Sequence, residues 1–265
     1  MDLTIIIPAK NEEKRIGQTL NQLGKFFANR KFLNIEILVI INNTTDNTIG
    51  EVRKVQRNYP FIKYTSINWS VGQRGTKGNA VVEGFKRAKG KYVAFLDADG
   101  SSSVEELYKL YMSMLGDPSV DGAIANRYIS GARIVGDFPF MRKVYSRLFN
   151  MVVRFGFGIN SKDTQCGLKM FKNEVAKEFI PRVAVGSWAF DLNLLLIAKY
   201  LGYRIDEVPT IWVHVDGSKL NARRAVVEVP KELFVLKKQG LELWFGLVTS
   251  FVRNIYEKRL RVLVK

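Results

Sequence analysis

Apolar runs and amphipathic stretches alternate along the first hundred residues of the chain. Uninterrupted apolar runs are typical of strands buried on both faces, and a spacing of three to four residues is typical of helices. We predict strands at 3–7, 35–41, 62–66 and 91–96, and helices at 14–28, 48–59 and 80–88. Pro8 is expected to end the first strand. This alternation predicts an α/β fold with a mostly parallel sheet flanked by helices.

The second half of the chain has a less regular pattern. We predict helices at 104–115, 141–155 and 191–200, another helix after Phe171, and strands at 122–125 and 208–213. No internal repeat or low-complexity linker interrupts it. With 265 residues, the chain is long enough for one α/β domain with a full core.

Two carboxylates follow the strand predicted at 91–96. Asp97 and Asp99 are separated by Ala98 and precede a glycine and three serines. Ligands of open α/β sheets bind at the carboxyl ends of strands, and paired carboxylates there suit Mg²⁺ or Mn²⁺. The structural alternative is that they only cap the helix that begins near Val104.

A glycine-rich basic loop at 72–79 precedes the third predicted helix. It lacks the residue order of a Walker A motif. Glycines before a helix N-terminus, together with Arg74 and Lys77, predict a contact with a diphosphate. An ordinary solvated turn is an equally good interpretation, and both stay open.

The charge of the chain limits the classes of partner that we expect for it. Apolar residues make up 47% and charged residues 25%, as in ordinary folded proteins, but the net charge is +16. Such a charge favours an anionic partner, namely nucleic acid, an acidic membrane surface or phosphorylated substrates. Cys166 is the only cysteine, so no intrachain disulfide can form, and we predict a buried packing role for it. His214 is the only histidine, which argues against a histidine-based metal cluster.

The C-terminal section has a different composition. Residues 223–265 interleave apolar and aromatic side chains with Lys and Arg, and Glu257 is the only acid after Glu242. We predict a basic amphipathic helical tail on a membrane surface, with a helix packed on the domain as the alternative. No run reaches the roughly 20 apolar residues that span a bilayer, and the chain does not begin like a signal peptide. We therefore expect a cytoplasmic protein, peripheral on the cytoplasmic face of a membrane.

Taken together, the motifs resemble glycosyltransferase family 2, which has the GT-A fold. The likeness covers about 3–222, which we take as the catalytic domain (1–222), and is strongest to members that act on dolichyl phosphate. The motifs that carry it are Pro8-Ala9-Lys10-Asn11-Glu12, Asp97-Ala98-Asp99, Asn126-Arg127-Tyr128, Arg142 with Ser146, Asp163-Thr164-Gln165-Cys166-Gly167, Trp188-Ala189-Phe190-Asp191 and Gly217-Ser218-Lys219-Leu220.

The resemblance implies a role for each matching residue. It implies a nucleotide-sugar site formed by Pro8, Ala9, Asn11, Glu12, Asn42, Arg74, Lys77, Asp97, Ala98 and Asp99. It implies a Mg²⁺ or Mn²⁺ ion on Asp97 and Asp99, and an acceptor-phosphate site at Arg127, Arg142, Ser146 and Lys219. The catalytic residues would be Asp99, Arg127, Arg142 and Asp191, with Asp191 as the base if one is needed.

The implied reaction is inverting transfer of a hexose from a nucleotide diphosphate sugar to dolichyl or polyprenyl phosphate. UDP-glucose is favoured, because the Asp163-Thr164-Gln165-Cys166-Gly167 form and the segment Trp212…Gly217-Ser218-Lys219 are more similar to the glucosyl than to the mannosyl branch. GDP-mannose stays the alternative donor, because Ile41-Asn42 stands where the family usually has an acidic pair, an Asp of which commonly holds the base. Asn193 also departs from the family, where Glu is common. Other enzymatic hypotheses are transfer of mannose or GlcNAc, a sugar hydroxyl as acceptor, and a sugar-phosphate nucleotidyltransferase. A basic nucleic-acid-binding module gives no reason for the two carboxylates, so we expect no nucleic acid partner.

Overall fold

The computed structural model describes residues 1–69, 75–137, 140–215 and 228–243, with only the backbone at 140–143 and 145. The strands are β1 (Leu3–Ala9), β2 (Ile35–Asn42), β3 (Ile62–Ile67), β4 (Tyr92–Phe95), β5 (Gly122–Asn126), β6 (Arg133–Val135), β7 (Lys169–Lys172), β8 (Ile205–Pro209) and β9 (Ile211–Val213). The helices are α1 (Ile16–Ala28), α2 (Thr48–Gln56), α3 (Lys77–Arg87), α4 (Val104–Gly116), α5 (Phe140–Phe157), α6 (Asn173–Phe179) with a 3₁₀ turn at Ile180–Arg182, α7 (Phe190–Leu201), and α8 at residues 228–243.

Seven strands form the central sheet in the order β3-β2-β1-β4-β7-β5-β8, and a parallel pair, β6-β9, lies apart from it. All pairings in the large sheet are parallel except those of β7, which runs antiparallel to both β4 and β5. The predicted mostly parallel α/β sheet is therefore confirmed. Because β7 reverses direction between them, β4 and β5 end at the same edge.

Alternate residues of β1 supply the two faces of the core. Ile5 and Ile7 pack with α1, α2 and α4 on one face, and Ile6 packs with α3, α6 and α7 on the other. All three isoleucines are fully buried. This two-sided burial is why the strand reads as an uninterrupted apolar run rather than an alternating one.

Several predicted boundaries are wrong, and strand pairing or capping explains three of them. β1 continues through Pro8 to Ala9, because its pairing with β4 stops at Ile6 while its pairing with β2 goes on. α3 begins at Lys77 rather than Ala80, since Thr76 caps it by accepting from the amide of Asn79 at 3.4 Å. The single strand predicted at 208–213 is two strands, because the chain leaves β5 at Pro209 and pairs next with β6.

The described part of the C-terminal section, α8, packs on the domain. Leu236 is fully buried against α5 and α7, the Glu232 carboxylate accepts from the amide of Ala189 at 2.8 Å, and the side chains of Gln239 and Asn193 are joined at 2.8 Å. Within the described ranges, no helix has the length and hydropathy to cross a bilayer.

Candidate active site

The candidate site lies at the edge of the sheet where β1, β2, β4 and β5 end. Chain connections reverse direction between β3 and β4, so the crevice beside β1 and β4 is a topological switch point, where ligands of such sheets bind. Asn42 ends β2, Asp97 and Asp99 follow β4, and Arg127 follows β5. The parallel sheet thus gathers at one edge residues that are far apart in sequence.

A row of side chains with alternating charges lies at the centre of this edge. The Lys77 ammonium lies 2.8 Å from Oδ1 of Asp97 and 3.5 Å from Oδ2 of Asp191. Oδ1 of Asp191 accepts at 2.6 Å from Lys169, which also donates to the Cys166 carbonyl at 2.6 Å. Lys169 is fully buried, whereas the side chains of Lys77 and Asp97 are about one-third exposed at 31% and 34%. Lys77 and Asp97, at the exposed end of this row of charges, therefore face the crevice.

The pKa directions follow from burial and from these pairs. Burial, helped by the negative charges of Asp99 and Asp191, holds the pKa of Asp97 above its usual value despite Lys77. Burial would also raise the pKa of Asp191, but Lys169 and Lys77 outweigh it and keep that pKa below normal. Burial would lower the pKa of Lys77, but Asp191 and Asp97 outweigh it and raise that pKa. Asp191 is thus an ionised partner of two lysines. A carboxylate whose pKa is lowered binds a proton weakly, so Asp191 is poorly suited to the base role predicted for it.

The donors at Asp97 and Asp99 fit a hard divalent cation. Both side chains are partly exposed, and Oδ1 of Asp99 accepts from the amide of Ser101 at 3.0 Å. The described residues include no group of three or more His, Cys, Asp or Glu side chains that could hold a metal. Mg²⁺ is usually bound by one or two carboxylates together with substrate phosphates, so two carboxylates suffice. Burial first, and then the charges of Asp99 and Asp191, raise the pKa of Asp97, so a cation bound here would favour its ionised form.

Gly167 lets the segment after α5 approach Asp97 closely. A Cβ at this position would overlap Oδ2 of Asp97, so only glycine allows so close an approach. In the same segment, Asp163 is fully buried, and its carboxylate accepts three hydrogen bonds from Arg127. They come from Nε at 2.7 Å, from a terminal guanidinium nitrogen at 2.8 Å and from the backbone amide at 3.0 Å. The Asp97 side and the Arg127 side of the site are therefore joined by one short segment.

Trp212 makes a second connection between these two sides. Its ring lies 5.1 Å from the Arg127 guanidinium, and its backbone forms a β-bridge with Ser102, three residues after Asp99. The amide of Val213 also donates to the Ser101 carbonyl at 2.9 Å. Arg127 and the Asp99 loop are thus linked through Trp212 at the same edge of the sheet.

Not all the predicted acceptor residues are described. The Ser146 hydroxyl lies 3.1 Å from that of Tyr128, beside Arg127. Arg142 is in the first turn of α5, but its side chain lies outside the described residues, as do Arg74 and Lys219 entirely. Arg127 has two side-chain nitrogens on Asp163, so this pair also holds the β5 end in place. The acceptor-phosphate assignment stays a prediction.

The residues predicted to bind the nucleotide border the crevice on the β1–β2 side. Asn11 has a left-handed backbone (φ 54°), and its side-chain oxygen accepts from the Thr45 amide at 2.8 Å. The amide of Glu12 donates to Thr48 at 2.7 Å, and the Asn42 amide group donates to the Thr76 carbonyl at 2.9 Å. These hydrogen bonds thus connect the loop after β1 with the loop after β2, and the end of β2 with the start of α3. Pro8 and Ala9 complete β1, and the Ala98 carbonyl accepts from the Thr19 hydroxyl at 3.0 Å.

Sequence reasoning assigned no role to Lys169 or Asn193. Lys169 is a lone cation in the apolar run 168–171, which is a signal for a buried partner. Asn193, where the family commonly has Glu, accepts from the amides of Ala184 and Val185 at 2.8 and 3.2 Å. An amide suits this position because the same side chain also donates to Gln239. Cys166, in contrast, is buried as predicted, and burial raises the pKa of its thiol to about 11.

A mostly parallel sheet with carboxylates and a lysine at its switch point is the arrangement of the GT-A fold. Solved structures agree on the fold: that of glucosyl-3-phosphoglycerate synthase from Mycobacterium tuberculosis in complex with UDP has a TM-score of 0.63 at 14% identity, covering 90% of this chain and 80% of that one. The same enzyme with Mn²⁺, UDP and phosphoglyceric acid gives 0.62 at 13% identity, covering 90% and 78%.

Sequence comparison identifies the family. The sequence model of Glycosyl transferase family 2 matches residues 4–180. The dolichyl-phosphate beta-glucosyltransferase of Saccharomyces cerevisiae is 31% identical over 89% of this chain and 74% of its own length, and that of Dictyostelium discoideum is 28% identical over 91% and 76%. The chain belongs to glycosyl transferase family 2. It is a glycosyltransferase, which sets aside the nucleotidyltransferase and the nucleic-acid-binding module as its function.

Proposed function

We propose that this enzyme transfers glucose from UDP-glucose to dolichyl phosphate or another polyprenyl phosphate, with inversion, at the cytoplasmic face of a membrane. A sequence comparison and a structural observation support this proposal. The similar sequences from yeast and Dictyostelium are both named dolichyl-phosphate beta-glucosyltransferase. The observation that carries the chemistry is the partly exposed Asp97–Lys77 pair, which lies at the same edge of the sheet as Asp99 and Arg127.

The donor side must stabilise a departing diphosphate. Breaking the bond between the sugar carbon and the diphosphate oxygen leaves additional negative charge on the nucleotide. The Lys77 ammonium is partly exposed and protonated, because its carboxylate neighbours raise its pKa, so it can hold that charge. A Mg²⁺ or Mn²⁺ ion on Asp97 and Asp99 would add Lewis-acid stabilisation of the same oxygens.

The acceptor side needs orientation more than deprotonation. A phosphate monoester has a second pKa of about 6, so its attacking oxygen is already ionised at neutral pH. This agrees with the lowered pKa of Asp191, whose role we assign to holding Lys77 rather than to proton transfer. Arg142 and Ser146, with the Tyr128 hydroxyl beside Ser146, would position the acceptor phosphate on the opposite face of the sugar.

The proposal is tested with purified enzyme, a panel of nucleotide sugars and a detergent-solubilised polyprenyl phosphate. We expect metal-dependent glucosyl transfer from UDP-glucose, with an inverted product. Asp99→Asn should lower kcat at least about 100-fold with an unchanged urea midpoint, because an oxyanion-stabilising interaction of this kind is worth about 10²–10³ in rate. Glu174→Gln, an exposed acid at the start of α6 and at the opposite edge of the sheet, is the control. Transfer of mannose alone would overturn the donor assignment, and a D99N enzyme of normal rate would overturn the metal assignment.

A second variant tests the acceptor side separately. Ser146→Ala should raise the KM for polyprenyl phosphate several-fold and leave the KM for UDP-glucose unchanged, because Ser146 on α5 contacts Tyr128, whereas other elements supply the Asp97–Lys77 pair. Initial rates over a range of each substrate separate the two constants. Equal effects on both substrates would contradict this division of the site.

A further inference from the structure

The guanidinium of Arg127 is held along one edge and open at the other. Its Nε and one terminal nitrogen donate to the two oxygens of the fully buried Asp163, at 2.7 and 2.8 Å. In the ranges that the structure describes, nothing accepts from the other terminal nitrogen, and the side chain is 10% exposed. Arginine binds phosphate oxygens through donors of this kind. The nitrogen that Asp163 leaves unused is therefore the one available to a ligand.

Two aromatic rings lie beside the same guanidinium. The ring centroids of Trp212 and Tyr128 are 5.1 and 5.6 Å from its central carbon. Both distances are within the range of a cation–π contact, and the indole ring of tryptophan is the strongest partner in such contacts. A ring face attracts the cation without accepting one of its hydrogen bonds. The Trp212 contact can thus hold the group and still leave its open nitrogen to a ligand.

Trp212 is itself held by the backbone of β9. Its neighbours on this strand, Ile211 and Val213, are each 40% exposed, whereas Trp212 packs against the core, as the alternation of a strand requires. The strand pairs with β6 on one side, where Trp212 lies opposite Ile134, and bridges to Ser102 on the other. The position of the ring is therefore set by backbone contacts that do not depend on Arg127.

We propose that Trp212 is a positioning residue, whose ring orients the Arg127 guanidinium so that its open nitrogen binds the phosphate of the acceptor. The inference rests on the proposed function, since it assigns this nitrogen to a phosphate acceptor. It goes beyond that function by giving a role to a residue outside the large sheet. Because Trp212 also bridges to Ser102, three residues after Asp99, it keeps the acceptor phosphate at a fixed place relative to the donor side.

The alternative role for Trp212 is packing alone, and steady-state kinetics separate the two. Trp212→Leu keeps an apolar side chain but removes the ring. It should raise the KM for detergent-solubilised polyprenyl phosphate about tenfold, within the range that cation–π contacts are worth, and leave kcat and the KM for UDP-glucose within about twofold. Trp212→Phe restores a ring and should raise the first KM by no more than about threefold. A rise in the KM for UDP-glucose instead would overturn the proposal, because the ring would then serve the donor.

The matched control is Phe26→Leu on α1. The Arg30 guanidinium lies 3.4 Å from the centroid of the Phe26 ring, so this variant also removes a ring from an arginine. Phe26 is near the end of α1, which leads to the start of β2, and thus lies at the opposite edge of the sheet. Both KM values should be those of the wild type. A tenfold effect in the control would overturn the proposal by showing a general response to lost aromatic packing.

A double-mutant cycle tests whether Trp212 acts through Arg127. Arg127→Lys keeps a positive charge but loses the planar fork that the ring orients. Residues that act through one another have non-additive effects, so W212L should raise the acceptor KM less than about twofold in the R127K background. An equal tenfold rise in both backgrounds would overturn the proposal. Where W212L is too unstable to assay, W212F replaces it in the same cycle.

A binding measurement separates this inference from the proposed reaction. Calorimetric titration with geranyl phosphate, a short polyprenyl phosphate, needs no nucleotide sugar and should give a Kd about tenfold higher for W212L than for the wild type. Equal Kd values, or no binding to the wild type, would overturn the inference. A wild type that binds the phosphate more tightly than W212L but transfers no glucose would defeat the proposed function and leave the role of Trp212 intact.

Discussion

At the scale of single residues, the site depends on a buried lysine that never reaches the crevice. Lys169 has no exposed surface, and its charge is compensated by Asp191 and by the Cys166 carbonyl. A buried charge without a partner is far more costly than a buried pair. Lys169 therefore keeps Asp191 ionised, and Asp191 in turn holds the Lys77 ammonium near Asp97.

Replacing Lys169 with Met should lower the free energy of unfolding by about 3–5 kcal/mol, because it leaves Asp191 buried with a single partner at 3.5 Å. The loss should depend on pH. In the wild type the pKa of Asp191 is depressed, so its stabilisation is complete above the ordinary value of about 3.9 and is lost as pH falls through the depressed value. In K169M burial prevails and raises that pKa, so ionisation of Asp191 destabilises the variant.

Urea unfolding between pH 4 and 7 checks this sign, since the difference between wild type and K169M should grow as pH rises. The control is Lys54→Met on α2. Lys54 is 65% exposed, and its pair with Glu51 should be worth about 0–1 kcal/mol. A difference that shrinks with pH would contradict the pairing described here.

The single thiol gives a second prediction at this scale. Burial raises the pKa of Cys166 to about 11, compared with about 8.5 for an exposed cysteine. At pH 8 the thiolate population should be about 200-fold lower than in the unfolded chain. Alkylation by iodoacetamide, followed by mass spectrometry, should be at least that much slower in the native protein than in urea. Equal rates would show that Cys166 is accessible and not a packing residue.

At the scale of elements, the antiparallel strand β7 organises the site. It lies between β4 and β5, and the segment that leads into it carries Asp163 and Gly167 to the carboxyl edge of the sheet. A parallel strand there would bring its preceding segment to the opposite edge. The reversal of one strand thus brings Asp163 to Arg127 and Gly167 to Asp97.

Helix α8 is attached by one face, which two neighbouring residues can test. Leu236→Ala should destabilise the enzyme by about 2–5 kcal/mol, because Leu236 is fully buried against α5 and α7. Phe234→Ala, two residues earlier and 75% exposed, should change stability by less than about 0.5 kcal/mol. Urea denaturation measures both. Similar losses in the two variants would contradict the orientation of α8. The result also bears on tail deletions, since removal of residues 231–265 would take away buried contacts.

At the scale of the whole molecule, the net charge of +16 supports an anionic partner but does not locate it. The screening length is about 10 Å at 0.1 M salt and about 3 Å at 1 M. Binding to phosphatidylserine-containing vesicles should therefore weaken at least tenfold between these salt concentrations, while binding to pure phosphatidylcholine vesicles should change little. Salt-independent binding to both would show that the charge does not contribute.

The sequence by itself determined the parallel sheet and the carboxylates at its edge. Strand burial and helix amphipathicity are local patterns, and the end of a buried strand such as β4 is visible in the order of residues alone. The family motifs added Arg127, Asp163 and Gly167 to the right region, without their partners.

Only the tertiary structure decided which charges meet. Lys169 contacts Asp191, which is 22 positions away in the sequence, and Arg127 contacts Asp163, which is 36 positions away. The reversed direction of β7 brings these residues together. The break of the predicted strand at Pro209 was decided in the same way. Pairing and exposure depend on which other elements pack alongside, and no local pattern of residues contains that information.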